Sequence, residues 1–388
     1  MPVRNRIAEW LPEITAWRQD LHAHPELRFE EHRTAGLVAA RLREFGCDEV
    51  VEGVAKTGVV GVIRGRGAGA GKVLGFRADM DALPILEKTG LGHASTISGK
   101  MHACGHDGHT SMLLGAAKYL AETRNFDGTV VLIFQPAEEG GGGARGMIAD
   151  GMIERFGIQE VYGMHNWPGL PSGSFAIRSG AQMAGADAFQ ITVKGRGGHG
   201  AQPHTTVDAT LAGAAVVMAL QSITSRNVDP LNAAVVSVCS FHSDTNIYNV
   251  IADQVILLGT TRTFDADTRD LIEHRLIEIA QTAAQTYGAV AEVIYTRGAP
   301  PLLNAPEQAE VAAAAAESVA GSVKRDLPPA MPAEDFADFL AVRPGAYMFI
   351  GNGESAALHN PAYEFNDDII PAGSSWFATL AEQRMPLT

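Results

Sequence analysis

Cysteine is scarce in this chain. Its three cysteines, Cys47, Cys104 and Cys239, are odd in number and far apart. A disulfide framework is therefore not expected, and a reducing compartment fits this usage. Basic residues are in deficit: 30 Lys and Arg stand against 44 Asp and Glu, a formal net charge of -14. Acidity spread along the chain argues against nucleic-acid binding, which needs basic surface. No apolar run is long enough for a bilayer span. The start, Met1-Pro2-Val3-Arg4-Asn5-Arg6, leads into a mixed-charge helix and lacks the apolar core of a secretory signal. These absences lead to the expectation of a cytoplasmic protein with no membrane or nucleic-acid partner.

What is present suits a soluble globular protein with a sizeable core. The 388 residues, 46% of them hydrophobic, suffice for two domains or one large one. Helical spacing of Ile7, Leu11, Ile14, Trp17 and Leu21 predicts a first helix, stopped near Pro25. Strands are predicted over 58–64 and 72–77. Between them, Gly65-Arg66-Gly67-Ala68-Gly69-Ala70-Gly71 invites comparison with a phosphate-binding loop. It fails, because Lys72 is followed by Val73 rather than Ser or Thr, so a flexible hairpin is expected there.

A recurring pattern then sets the fold class. Short apolar runs end in polar residues: Val73-Leu74-Gly75-Phe76 in Arg77-Ala78-Asp79-Met80-Asp81, and Val130-Val131-Leu132-Ile133-Phe134 in Gln135-Pro136-Ala137-Glu138-Glu139. Val161-Tyr162-Gly163-Met164 ends in His165-Asn166, and Tyr347-Met348-Phe349-Ile350 leads through a glycine loop to His359-Asn360. With helices between them, such as 110–123, these runs predict an α/β domain with a mostly parallel sheet. Sites in such sheets form beyond the carboxyl ends of the strands, so the polar tails should converge. Residues 185–296 read instead as β-α-β-β-α-β, a ferredoxin-like unit inserted between 1–184 and 297–388.

The stretch Met101-His102-Ala103-Cys104-Gly105-His106-Asp107-Gly108-His109-Thr110 concentrates ligand chemistry. Cys104 and His106, one residue apart on a glycine turn, can face one point. A buried free cysteine beside a capping histidine is the bland alternative. Glu138 and Glu139 could be a solvated surface pair, yet a run of four glycines follows them and suits a backbone passing close to something. His165 and His359 complete a set of five strand-end donors with Cys104, His106 and Glu139. Five donors exceed one tetrahedral site, so two ions sharing a ligand is the natural count. Nitrogen, oxygen and one sulfur suit Zn, Mn, Co or Ni better than Ca or Mg. Glu138 would remain free as general base, beside ions that lower the pKa of water from about 15.7 to roughly 7. Asp79 would orient a ligand imidazole. In the insert, His199 could stabilise an oxyanion. Asn249 and Arg262 flank a strand, and Arg262 is either a clamp for a substrate carboxylate or a surface ion-pair partner.

These motifs together resemble the M20 metallopeptidase family, in particular its amidohydrolase branch. That branch holds hippurate hydrolases, N-acyl-amino-acid aminoacylases, plant-type auxin-conjugate hydrolases and N-acetyldiaminopimelate deacetylases. The resemblance runs from Asp20-Leu21-His22-Ala23-His24-Pro25-Glu26-Leu27 to Leu358-His359-Asn360-Pro361. It implies a di-metal catalytic domain with a smaller lid that also dimerises. It further implies Cys104, His106, Glu139, His165 and His359 as ligands and Glu138 as base. His199, Asn249 and Arg262 would be lid residues that meet substrate. Two departures stand out. Arg77-Ala78-Asp79 replaces the family's His-x-Asp, and Ala252 stands where proline is usual. The expected reaction is cleavage of the amide bond in an N-acyl amino acid. A dipeptidase or N-acetyldiaminopimelate deacetylase is the enzymatic alternative, and a metal protein that binds acyl amino acids without cleaving them is the other.

Overall fold

Ile14, Trp17 and Leu21 fall on one buried face of helix α1 (Leu11–Ala23), which ends just before His24 and Pro25. The computed structural model describes residues 5–67 and 71–387. Helix α2 (His32–Glu44) buries Ala35, Val38, Ala39 and Leu42. Three strands follow, β1 (Glu49–Val54), β2 (Gly58–Arg64) and β3 (Lys72–Asp79). Helix α3 (His106–Thr123) leads to β4 (Gly128–Gln135), β5 (Glu160–Pro168) and the short β6 (Phe175–Ala176). The chain then builds β7 (Gly185–Lys194), β8 (Gly198–His199), α4 (Ala209–Leu220) and β9 (Ala234–Ser243). Next come β10 (Val250–Ile251), β11 (Gln254–Thr263), α5 (Ala266–Thr286) and β12 (Val290–Arg297). It finishes with α6 (Pro306–Ala320), β13 (Val323–Lys324), β14 (Gly345–Gly353) and α7 (Ile370–Arg384).

These elements form two units. The first comprises Met1–Gly180, Leu303–Pro328 and Asp335–Thr388, the second Ala181–Leu302 and Pro329–Glu334. In the first, eight strands lie in the order β1-β2-β4-β3-β5-β14-β6-β13. The central pairs β4–β3, β3–β5 and β5–β14 are parallel. Their strands are buried along almost their whole length, as strands covered on both faces must be. Helices α3 and α7 pack together beside this sheet, with α1 against α3. In the second unit the order is β9-β11-β7-β12, all antiparallel, with α4 and α5 packed together. Asp208 starts α4 by accepting from the N–H groups of Thr210 and Leu211, and Asp265 starts α5 by accepting from Thr268. The β-α-β-β-α-β order anticipated from periodicity is the one observed. Among the described residues no helix is long and apolar enough to cross a membrane.

One sequence expectation fails in the first unit. Strands β2 and β3 do not form a hairpin, because β4 lies between them, antiparallel to β2 and parallel to β3. The crossover through α3 fills the edge of β3 that a hairpin partner would have used. Residues 68–70 of the glycine-rich connection lie outside the described residues.

Candidate metal centre

Gly105 sets the geometry of the Cys104–His106 pair. It caps α3 in the left-handed region, φ 92°, and a Cβ there would sit 2.3 Å from Asn166 Oδ1 and 2.8 Å from the Tyr363 hydroxyl. Only glycine fits. The helix starts four residues earlier than its apolar pattern suggested, so His106 is its first residue. His106 Nδ1 donates to the Asp81 carbonyl at 2.8 Å. Its Nε2 is therefore the bare nitrogen, and it is buried without a hydrogen-bond partner. His165 is arranged likewise: Nδ1 donates to the Asn166 carbonyl at 2.6 Å, and Nε2 lies 3.4 Å from Cys104 Sγ. His165 sits inside β5, opposite Phe349 of β14, rather than just beyond the strand as expected. His359 does follow β14, and its φ of 64° turns the backbone sharply there.

The donors converge in overlapping groups. Ligand atoms of Cys104, His106 and His165 lie within 4.8 Å of one another, as do those of Cys104, Glu139 and His359, and of His106, Glu138 and Glu139. Cys104, His106 and Glu139 each belong to two of these groups. Glu139 Oε1 is buried and approaches His359 Nε2 to 3.1 Å without hydrogen-bond geometry. Two of the facing donor atoms, His106 Nε2 and Glu139 Oε1, are buried with no hydrogen-bond partner, which is what a cation site requires. The electrostatics agree. His359 is pushed up to about 10 by its contacts with Cys104 and then Glu139. His106 is raised against the penalty of burial by the Asp79 carboxylate and the Cys104 sulfur. Burial followed by the Glu139 charge pushes the Cys104 thiol up. His165 goes the other way, held well below its usual value by burial and then by His109. A soft sulfur with imidazoles and carboxylate fits borderline transition ions. The residues thus fit two divalent metals.

Glu138 stands beside this cluster on a turn after β4. The backbone N–H groups of Glu138 and Glu139 donate to the two oxygens of Asp81, each at 3.0 Å. Asp335 offers its N–H to Glu138 Oε1 at 3.4 Å.

Asp79 is placed differently from the expectation that it orients a ligand imidazole. Its Oδ1 bonds His109 Nδ1 at 2.6 Å, while its Oδ2 accepts from Arg77 Nη1 at 2.6 Å and stands 3.7 Å from His106 Nε2. The imidazole that Asp79 orients is His109, whose Nε2 meets Asn166; the group fixing His106 is the Asp81 carbonyl. Arg77 is buried and also donates to Gln135 and Asp335. Asp107 turns away from the donors to His22, with Oδ2 2.8 Å from His22 Nδ1. Asp81 was missed in the sequence; its one signal is the Asp-x-Asp spacing at the end of β3.

The remaining candidates lie in the second unit. His199, on β8, is exposed and pairs with Val250 of β10. Its Nδ1 accepts from Ala201 N–H at 3.0 Å, which leaves Nε2 as the donor of the neutral ring. Asn249 adjoins it, its carbonyl accepting from Gly200 N–H at 2.8 Å. Arg262 is not brought to this pair. It lies eight residues along β11 from Gln254, roughly 27 Å at the rise of an antiparallel strand. There its Nη1 donates to Thr260 Oγ1 and to the Thr261 carbonyl.

The chain is similar to known proteins over nearly its whole length. The family model of peptidase family M20/M25/M40 matches residues 75–383. The chain is 43% identical over 366 residues to a hippurate hydrolase of Campylobacter jejuni, covering 94% of each chain. It is 38% identical over 366 residues to an N-acetylcysteine deacetylase of Bacillus subtilis, again covering 94% of each. Among solved structures, the Bacillus subtilis YxeP protein, described as a dinuclear metal-binding peptidase of the M20 family, superimposes with a TM-score of 0.85. That match has 34% identity and covers 96% of this chain and 98% of the other.

Proposed function

The chain belongs to peptidase family M20/M25/M40, and from that premise we propose that it hydrolyses the amide bond of N-acyl amino acids to a carboxylic acid and a free amino acid. The observation that carries this reading is the overlap of donor groups that links Cys104, His106, Glu139, His165 and His359, with the Glu138 carboxylate grouped beside His106 and Glu139. These five residues would hold the two divalent ions.

When bound, the ions supply Lewis acidity that acidifies water and polarises a carbonyl. Glu138 holds and moves the proton: its carboxylate takes one from the attacking water and delivers it to the departing amide nitrogen. Asp81 keeps Glu138 and Glu139 in register by accepting both of their backbone N–H groups. His199, with Nε2 as donor, is assigned to the oxyanion that develops on the acyl carbonyl. Asn249 is assigned with His199 to the substrate, and Arg262 is kept as the clamp for its carboxylate. Because Arg262 is remote from that pair within one chain, the two would have to reach one substrate from different copies of the chain. Self-association through the second unit belongs to the same reading, supported by exposed Leu211 and Met218 on α4. So does a cytoplasmic location, supported by three free cysteines.

The direct test supplies the metal-reconstituted protein with hippurate, several N-acetyl amino acids including N-acetyldiaminopimelate, and dipeptides. Release of free amino acid from the acyl compounds is expected. No release with Zn, Mn, Co or Ni contradicts the reading, and cleavage of dipeptides alone replaces it with a dipeptidase.

A further inference from the structure

All six backbone polar groups of Ala137, Glu138 and Glu139 are engaged. The carbonyls of Ala137 and Glu138 accept from Gly143 N–H and Gly140 N–H, and that of Glu139 accepts from Arg28 Nη1 at 2.7 Å. The three N–H groups all end on carboxylates. Two donate to Asp81; the first, from Ala137, donates to Glu31 Oε1 at 2.9 Å. Glu31 is fully buried and is fixed from other directions. Its Oε1 also accepts from Phe29 N–H at 3.0 Å, and its Oε2 accepts from the Thr57 hydroxyl at 2.5 Å.

Ala137 needs this support. Its φ is 52°, a left-handed conformation that a non-glycine residue holds only when its surroundings impose it. Without the Glu31 carboxylate, the Ala137 N–H would be buried and unpaired, and the turn would relax toward an ordinary φ. The side chains of the next two residues would then swing. Those residues are the proposed base and a proposed ligand, where a shift of about 1 Å is costly.

We propose that Glu31 is a positioning residue for the hydrolysis: its buried carboxylate holds the left-handed turn at Ala137 and thereby aims Glu138 and Glu139. The assignment rests on the reaction proposed above, so its test includes a readout that does not depend on substrate. Glu31→Ala, Glu31→Gln and Thr57→Val would be compared with the parent in Mn affinity, by chelator competition, and in kcat and KM on hippurate. Glu31→Ala is expected to lower kcat about 10- to 100-fold and weaken Mn binding about tenfold, with KM within about threefold. Glu31→Gln should recover much of the loss, because its amide oxygen can still accept the Ala137 N–H. Thr57→Val keeps the Ala137 bond but removes one of the three donors that hold the carboxylate, so it should lose clearly less than Glu31→Ala, within about fivefold of the parent in both readouts.

Parent-like kcat and Mn affinity in Glu31→Ala would overturn the proposal. So would a loss in Thr57→Val as large as that in Glu31→Ala, since it would mark a packing role. Should Glu31→Ala not fold, Glu31→Asp replaces it. That variant keeps the charge but withdraws it by one methylene, and parent-like values there also overturn the proposal. If the parent cleaves no acyl amino acid, the substrate reading fails alone, and Mn affinity still decides the role of Glu31.

Discussion

Removing the Glu138 carboxylate separates chemistry from metal binding. Glu138→Ala should lower kcat by about 10²- to 10⁴-fold. The purified variant should still carry the parent's metal content by elemental analysis, because Glu138 is not among the five proposed ligands. Cys104 gives a second residue-level check. As a thiolate ligand it should be alkylated more slowly with metal bound than after chelation. Cys239 is exposed and should react at one rate in both conditions, an internal reference in the same peptide map. Equal protection at both cysteines would remove Cys104 from the ligand set. The candidate ligands were legible because their chemistry is carried by side-chain type at the ends of apolar runs. Asp81 and Glu31 were not, because they act through backbone N–H groups 57 and 106 residues away, and sequence does not record such pairings.

At the scale of elements, the start of α3 depends on one residue without a side chain. Gly105→Ala forces a Cβ to within 2.3 Å of Asn166 Oδ1 at φ 92°. It should cost roughly 1–3 kcal/mol in denaturant unfolding and weaken metal binding, since Cys104 and His106 flank it. The joint between β5 and α7 is electrostatic. Buried Glu160 accepts from Lys72 Nζ at 2.7 Å, the Tyr162 hydroxyl at 2.8 Å and Arg384 Nη2 at 2.7 Å. Burial opposes its charge, but these partners hold its carboxyl down at about 2. A depressed carboxylate stabilises the fold above its unfolded pKa of about 4.5, and that contribution disappears as pH falls toward about 2. Glu160→Gln should therefore lose roughly 2–3 kcal/mol near pH 7, with the gap to the parent closing between about pH 4.5 and 2 in pH-dependent melts. Elements with a clear apolar run, such as β2 and β3, were readable from sequence to within about two residues. β1 was missed because Glu49-Val50-Val51-Glu52-Gly53-Val54 is half exposed and carries two glutamates. The β2–β3 hairpin was wrong because two apolar runs do not say which of them are neighbours.

For the whole molecule, the sequence conveyed the inserted β-α-β-β-α-β unit and the mostly parallel sheet. The eight-strand order was beyond it, because order depends on crossovers rather than local pattern. Metal should couple to the stability of the first unit, since its ligands come from four separate regions of the chain. At about 100 times its Kd, an ion that binds only the folded state adds roughly 2.7 kcal/mol. The melting temperature should rise with Mn concentration in the parent and rise less in Cys104→Ala, measured by calorimetry. The most direct measurement for the account as a whole pairs metal stoichiometry with hippurate cleavage on one preparation, stripped by chelator and then reloaded. Two divalent ions per chain are expected, with release of benzoate and glycine that returns with the metal, and none from the equally loaded Glu138→Ala protein. Two bound ions with no cleavage of hippurate or any N-acetyl amino acid would contradict it, as would cleavage that survives complete removal of metal.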